Sequence, residues 1–277
     1  MKRFSLEGVI PAMLTPFTRN GARVDYDRAA ALGQRLADQG VHGVFLCGTT
    51  GEGLLMTVEE RKRVLETVLK AVGKRIKVLA HTGCLDTAST IALTRHAAEV
   101  GAYAAGIVAP GFYTYDDGAL LRFYQDVAAS VPGFPVMLYN LPSCAKNVLS
   151  PALVARLATE VTNIAGIKDS GGMLQHQNRM VIDTPDDFVV INGCDEFTFH
   201  ALMGGANGSV SSTANVIPEV FLSIFTQVFH DGAMVAYYKE GLRLRGFDPG
   251  AVRPPQRELT SKEKKAFADE LAALGLV

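Results

Sequence analysis

The sequence has no long hydrophobic run and no excess of charge of either sign. It holds 27 basic and 28 acidic residues among 277, giving a formal net charge of −1. Lys and Arg form no basic stripe, which argues against a nucleic-acid partner. No apolar run approaches the length of a membrane span, and Glu7 with two prolines interrupts any signal-like apolar core near the amino terminus. We therefore expect a cytoplasmic protein with no nucleic-acid or membrane partner.

Cysteine is scarce, and the motifs of several common chemistries are missing. The four cysteines lack CxxC spacing, so reduced thiols are expected. The sequence has no HExxH and no histidine pair at ligand spacing, which leaves metal-assisted hydrolysis without support. GxSxG and GxxxxGK[ST] are also absent, which argues against hydrolase elbows and P-loops. We expect neither a metal nor a separate cofactor.

What the sequence does contain is a regular alternation of apolar and amphipathic segments. Eight short, β-rich apolar segments occupy residues 8–14, 43–48, 77–83, 104–110, 135–140, 163–168, 188–193 and 208–213. Strands that are apolar on both faces, each followed by a helix, indicate a parallel sheet with right-handed crossovers. Eight such units fit a (β/α)₈ TIM barrel better than a doubly wound sheet. The latter needs a glycine-rich turn after the first strand, where "MLTPFTRNG" stands instead.

Helix starts and the carboxyl-terminal region complete the predicted organisation. Thr57 with Glu60 three residues on matches a capping box. "EVFLSIFTQVF" after Pro218 reads as a helix, and two more helical patterns follow Gly232. We predict a barrel over residues 1–230 and a short helical extension over 231–277.

The carboxyl ends of the strands, where barrel enzymes place their chemistry, carry an amine, phenols and hydroxyls. Lys168 ends the apolar segment "NIAGIK", Tyr139 ends the preceding strand, and Thr49 lies in "GTTGE". Apolar surroundings favour the neutral form of an amine, which can attack a ketone to form a Schiff base. A nearby phenol can transfer protons. The alternative for Lys168 is that it extends to solvent or pairs with Asp169.

Four motifs in order, "GTTGE", "YNLP", "GIKDS" and "GxDE", resemble the dihydrodipicolinate synthase/N-acetylneuraminate lyase family. Its members are lysine-dependent, pyruvate-handling aldolases on a (β/α)₈ barrel. The resemblance implies that Lys168 forms the Schiff base, that Tyr139 transfers protons, and that Thr49 and Thr50 hold the pyruvate carboxylate, with Thr49 also in the proton relay. The family usually supplies a further tyrosine across a subunit interface, which makes Tyr113 a candidate and a homo-oligomer, dimer or tetramer, the expected state.

Two departures from the family pattern bear on the second substrate. Dihydrodipicolinate synthases continue "YNxPS" with a carboxylate-binding arginine, where this chain has Cys144, with Lys146 two residues on as a partial substitute. Asp195 and Glu196 match an acidic pair that binds substrate hydroxyls in sialic acid lyases, although acids that open a helix also serve as caps. The predicted substrate-binding set is Thr49, Thr50, Gly193, Asp195, Glu196 and Ser211.

The sequence therefore predicts a lysine Schiff-base lyase that reversibly joins pyruvate to an aldehyde. The leading expectation is cleavage of a 2-keto-3-deoxy sugar acid or a related hydroxy-keto acid. The enzymatic alternatives are a dihydrodipicolinate synthase and a dehydratase that uses the same imine. The non-enzymatic alternative is a silent barrel that binds keto acids.

Overall fold

The computed structural model describes residues 4–218, 234–273 and 275–277. In chain order its elements are β1 (Gly8–Pro11), α1 (Tyr26–Asp38), β2 (Gly43–Leu46), α2 (Val58–Val72), β3 (Lys77–His81), α3 (Thr87–Glu99), β4 (Ala104–Val108), α4 (Asp117–Ala129), β5 (Val136–Asn140), α5 (Pro142–Ala145), α6 (Pro151–Glu160), β6 (Ile164–Asp169), α7 (Leu174–Asp183), β7 (Val189–Asn192), α8 (Thr198–Met203), β8 (Gly208–Ser211), α9 (Met234–Leu244) and α10 (Ser261–Ala273). The helix predicted after Pro218 and the boundary at residue 230 lie outside the described residues.

The eight strands form one parallel sheet, in the order β1-β8-β7-β6-β5-β4-β3-β2. The sheet closes on itself because β1 continues into a parallel bridge between Ala12 and Phe45. The backbone N–H of Met13 donates to the Phe45 carbonyl at 3.0 Å across this seam. The predicted (β/α)₈ barrel is confirmed, and the strand ends that carry Tyr139 and Lys168 meet at one rim.

Local sequence signals account for how the helices begin. The Thr57 hydroxyl accepts from the Glu60 backbone N–H while the Glu60 carboxylate accepts from the Thr57 backbone N–H, which confirms the capping box. Within the described residues, no helix combines the length and the apolar character needed to cross a lipid bilayer.

The barrel interior is filled by side chains from its strands. Phe45, Leu79, Tyr139 and Ile191 belong to one buried apolar cluster. The Phe45 ring occupies space that Gly106 leaves open, because a Cβ at that position would collide with the ring. This packing places an aromatic ring directly below the rim.

The carboxyl-terminal extension is joined to the barrel by a buried ion pair. Lys239 Nζ lies 3.0 Å from Glu52 Oε1, and neither side chain is exposed to solvent. The ammonium also donates to the carbonyls of Thr15 at 2.8 Å and Ala251 at 2.6 Å. The loop after β2, which contains "GTTGE", is thereby held by a helix from the far end of the chain.

Candidate active site

Lys168 lies inside the barrel against aromatic rings. It pairs in register with Tyr139 on the neighbouring strand, and its Nζ lies 3.8 Å from the centroid of the Tyr139 ring and 5.1 Å from that of Phe45. The residue is 7% exposed, and it forms no ion pair with a carboxylate in the part of the chain that the structure describes. The amine therefore stands in the apolar setting that its strand predicts.

Asp169 does not serve as the partner of Lys168. Successive side chains of a strand point to opposite faces, and the Asp169 carboxylate accepts from Asn140 Nδ2 at 2.7 Å and from the Gly171 backbone N–H at 3.1 Å. Burial raises the pKa of Asp169, and these two hydrogen bonds oppose the shift. The carboxylate holds the loop after β6 in place instead.

The two threonines of "GTTGE" lie at the same rim but contact different groups. Thr49 Oγ1 is 3.4 Å from the Tyr139 hydroxyl, a long hydrogen bond that connects a solvent-exposed hydroxyl to the phenol. Thr50 Oγ1 is 2.5 Å from Ser212 Oγ, just after β8. Thr49 thus contacts the phenol, and Thr50 joins the loops after β2 and β8.

The backbone of this loop depends on unusual conformations. Cys47 and Glu52 both have positive φ, at 57° and 56°, a region that non-glycine residues seldom occupy. Gly53 is required because a Cβ there would collide with the Cys47 carbonyl. Burial raises the pKa of Glu52, while the Lys239 ammonium and the Arg253 backbone N–H act against the shift. Contacts from the extension hold this strained loop.

Of the predicted binding residues after β7 and β8, one lies beside Lys168, two bind the loop after β8, and one is exposed. Gly193 lies beside the lysine, because a Cβ there would be 3.1 Å from Lys168 Cε. Asp195 Oδ2 accepts from the Thr213 backbone N–H at 3.2 Å and from its hydroxyl at 2.6 Å. Ser211 is wholly buried, and its Oγ accepts from the Ala214 backbone N–H at 3.1 Å. Asp195 and Ser211 therefore make contacts that order the loop after β8, whereas the Glu196 side chain is exposed.

Tyr113 is placed away from the other candidates within the single chain. Its side chain is 65% exposed, and its ring packs edge-on against Phe112 with centroids 5.0 Å apart. Phe112, which has φ of +72°, lines the cavity described next, and Tyr113 does not. The role predicted for Tyr113, across a subunit interface, stays a prediction.

A cavity of about 330 Å³ opens beside Tyr139 and Thr49. Apolar side chains dominate its wall, among them Leu54, Leu55, Leu85, Val108, Phe112 and Leu141. Cys84, Cys144 and His81 also line it, as do Pro255 and Gln256 from the extension. Sequence reasoning missed the last two because they lie in a proline-rich connection, which carries no signal of proximity to a strand end.

The protonation state of His81 bears on the charge of this wall. Burial, reinforced by the nearby Arg61 guanidinium, holds the pKa of His81 well below its usual value. Its Nδ1 lies 3.0 Å from the Cys47 carbonyl and 3.3 Å from Arg61 Nη2. His81 is therefore neutral at ordinary pH.

Known proteins resemble this chain over nearly its whole length. The model of the Dihydrodipicolinate synthetase family matches residues 5–239. A 4-hydroxy-tetrahydrodipicolinate synthase of Methanopyrus kandleri is 33% identical over 296 residues, which cover 99% of this chain and 98% of that protein. One of Thermus thermophilus is 37% identical over 212 residues, 76% of this chain and 70% of that protein. A solved structure also matches, that of YagE from E. coli K12 in complex with pyruvate, a prophage protein belonging to the dihydrodipicolinic acid synthase family. Its TM-score is 0.93 at 31% identity, and the match covers 98% of this chain and 99% of that one.

Proposed function

The chain belongs to the dihydrodipicolinate synthetase family of class I aldolases, and we propose that it uses Lys168 to join pyruvate reversibly to an aldehyde. The observation that carries this proposal is the position of Lys168 Nζ, 3.8 Å from the centre of the Tyr139 ring. Lys168 has no acidic partner among the described residues, so no ion pair occupies the amine that would attack a carbonyl. The enzyme is accordingly a carbon–carbon lyase in the cleavage direction.

The proposed sequence of steps uses groups that the structure brings together. The Lys168 amine attacks C2 of pyruvate, and the resulting carbinolamine loses water to give a protonated imine. Loss of a proton from C3 gives an enamine, whose C3 forms a bond to the aldehyde carbon, and the alkoxide takes up a proton. Hydrolysis of the imine releases the hydroxy-keto acid. In this proposal Tyr139 transfers the protons together with Thr49, and the 3.4 Å between their hydroxyl oxygens supports that role.

The identity of the aldehyde is the finer part of the proposal. The names of the relatives support the alternative, condensation with aspartate semialdehyde, better than cleavage of a sugar acid. The contact between Asp195 and Thr213 also weakens the sugar-acid expectation, since that carboxylate already accepts two hydrogen bonds. The exposed Phe112 and Tyr113 support a dimer or tetramer, and the cytoplasmic location stays a prediction.

Reductive trapping tests the Schiff base directly. The protein is incubated with pyruvate and borohydride, and peptide mass spectrometry locates the adduct. We expect one pyruvate-derived adduct on Lys168 and its loss in Lys168→Ala. Lys265→Ala is the matched control, because Lys265 is a surface lysine, 80% exposed, that should leave the yield unchanged. An undiminished yield in Lys168→Ala would contradict the proposal.

Turnover separates an enzyme from a silent binder that still forms the imine. Pyruvate release from hydroxy-keto acids, or its consumption with aldehydes, is expected to exceed the rate of Lys168→Ala by at least about 10³-fold. A wild-type protein that forms the adduct but turns over none of these substrates would be a binder.

A further inference from the structure

We propose that this site takes an uncharged and largely apolar aldehyde. This inference rests on the proposed Schiff-base function. The cavity beside Tyr139 is the space available to the second substrate, because Tyr139 contacts both Lys168 and the cavity. Its wall is predominantly apolar, and leucine, valine, proline and phenylalanine side chains all contribute to it. Its volume of about 330 Å³ lies at the small end for ligand sites, which suits a branched aliphatic or single-ring aldehyde.

Among the residues that the structure describes, the cavity wall presents no unpaired ionic group for a charged substrate. Glu52, which borders it, has its carboxylate paired with Lys239. His81 is neutral for the reasons given above. Of the described residues that line the cavity, none is a lysine or arginine.

Arg61 contacts His81 and Cys84 of the wall from behind, and its Nη2 is already used as a donor. Its Nη2 donates to the carbonyls of His81 at 2.7 Å and Gly83 at 3.1 Å. It is 4% exposed and does not line the cavity. The thiol of Cys84, 3.3 Å from its Nη1, stands at the wall instead. A substrate carboxylate in the cavity would therefore not reach the Arg61 guanidinium.

A charged aldehyde is disfavoured by this arrangement for a simple reason. A carboxylate or ammonium that leaves water for an apolar site loses its hydration, and only a charged or strongly polar partner compensates for that loss. The wall offers instead the thiol of Cys144, at the position where the family's synthases have arginine, and the amide of Gln256. One amide can serve a single hydrogen-bonding substituent. It cannot replace the hydration of both charges of aspartate semialdehyde, nor that of several sugar hydroxyls.

A panel of aldehydes tests the inference. Pyruvate consumption is measured with 3-methylbutanal, benzaldehyde, glyceraldehyde and aspartate semialdehyde, and kcat/KM is compared. We expect the two apolar aldehydes to exceed the other two by at least tenfold. Equal or higher values with aspartate semialdehyde or glyceraldehyde would overturn the inference.

Borohydride trapping with pyruvate on the same preparation keeps the two proposals apart. Absence of the Lys168 adduct contradicts the Schiff-base function itself. Presence of the adduct with a preference for charged or polyhydroxylated aldehydes contradicts only the apolar assignment.

A matched pair of leucine variants tests whether this cavity is the site. Leu85 and Leu202 are both exposed, at 63% and 45%, but only Leu85 lines the cavity. We compare the ratio of kcat/KM for benzaldehyde to kcat/KM for aspartate semialdehyde. Leu85→Arg is expected to lower this ratio at least fivefold. Leu202→Arg should leave that ratio within twofold of wild type, and equal effects of the two variants would overturn the assignment.

Discussion

Two buried lysines show how surroundings decide what an amine does. Lys239 donates to a carboxylate and to two backbone carbonyls, which satisfies all three protons of an ammonium. Lys168 lies between aromatic rings and forms no ion pair in the described part of the chain. A nucleophile needs a lone pair, so the residue with fewer polar contacts is the one suited to attack a ketone.

The hydroxyl of Tyr139 gives a test at the level of one atom. Tyr139→Phe keeps the ring beside Lys168 and removes the contact with Thr49, so the nucleophile stays in place while proton transfer is impaired. We expect turnover to fall by about 10²-fold or more, measured as pyruvate consumption. Tyr103→Phe is the control, because that hydroxyl contacts Ser5 near the amino-terminal ends of the strands, and it should change turnover less than twofold. Unaltered turnover in Tyr139→Phe would remove the phenol from the mechanism.

The placement of Lys168, Tyr139 and Thr49 follows from sequence because each stands at the end of a recognisable apolar strand. Asp195 and Ser211 are different. Both lie at the correct rim, but their hydrogen bonds go to Thr213 and Ala214 in the turn after β8. Which partner a side chain selects depends on how two loops pack, and strand periodicity carries no information on that.

At the scale of elements, the start of α2 is tied to the extension by a second ion pair. Arg253 donates to both Glu60 oxygens at 2.8 Å. This bond, more than any other cause, lowers the pKa of Glu60 to about 2, from 4.5. The stabilisation is therefore complete above about pH 4.5 and is lost as the pH falls towards 2.

Glu60→Gln should lower the free energy of unfolding at pH 7 by about 1–2 kcal/mol, as measured by urea denaturation. This is less than the full pKa shift would give, because solvent screens a partly exposed ion pair. The difference from wild type should shrink between pH 4.5 and 2, where the native carboxylate takes up its proton. Glutamine still completes the capping box, so the change isolates the charge. Glu59→Gln is the control, since Glu59 is 79% exposed and pairs only with Lys62 among the described residues; its effect should stay within about 0.5 kcal/mol. A difference that persists unchanged at pH 2 would contradict this account.

At the scale of the whole molecule, the inner packing of the barrel and the site share Phe45. Gly106→Ala places a methyl group against that ring, and overpacking of this kind costs about 1–3 kcal/mol. We expect reduced thermal stability together with reduced turnover, since Phe45 also borders Lys168. Gly118→Ala, near the start of α4, meets no closer contact than 3.3 Å and should leave both unchanged or slightly raise stability. Full activity in Gly106→Ala would show that the ring can move without disturbing the amine.

The barrel was predictable because eight apolar segments at regular spacing leave few alternatives. The role of the extension was not, because pairs such as Glu52 and Lys239 join distant parts of the chain. Residues of opposite charge occur at many positions in the sequence, and nothing in it distinguishes Glu52 and Lys239 from the others. Only the closed barrel shows that both are buried and face each other.

The bond between Glu52 and the Arg253 backbone spans 201 positions along the chain. A ribosome that has completed the "GTTGE" loop must still add about 200 residues before the loop gains this contact and the Lys239 ammonium. The nascent barrel can pair its strands in order, but the loop that carries Thr49 and Thr50 acquires this support only after Arg253 has been added. The last step in ordering this rim therefore comes after all eight strands have been synthesised.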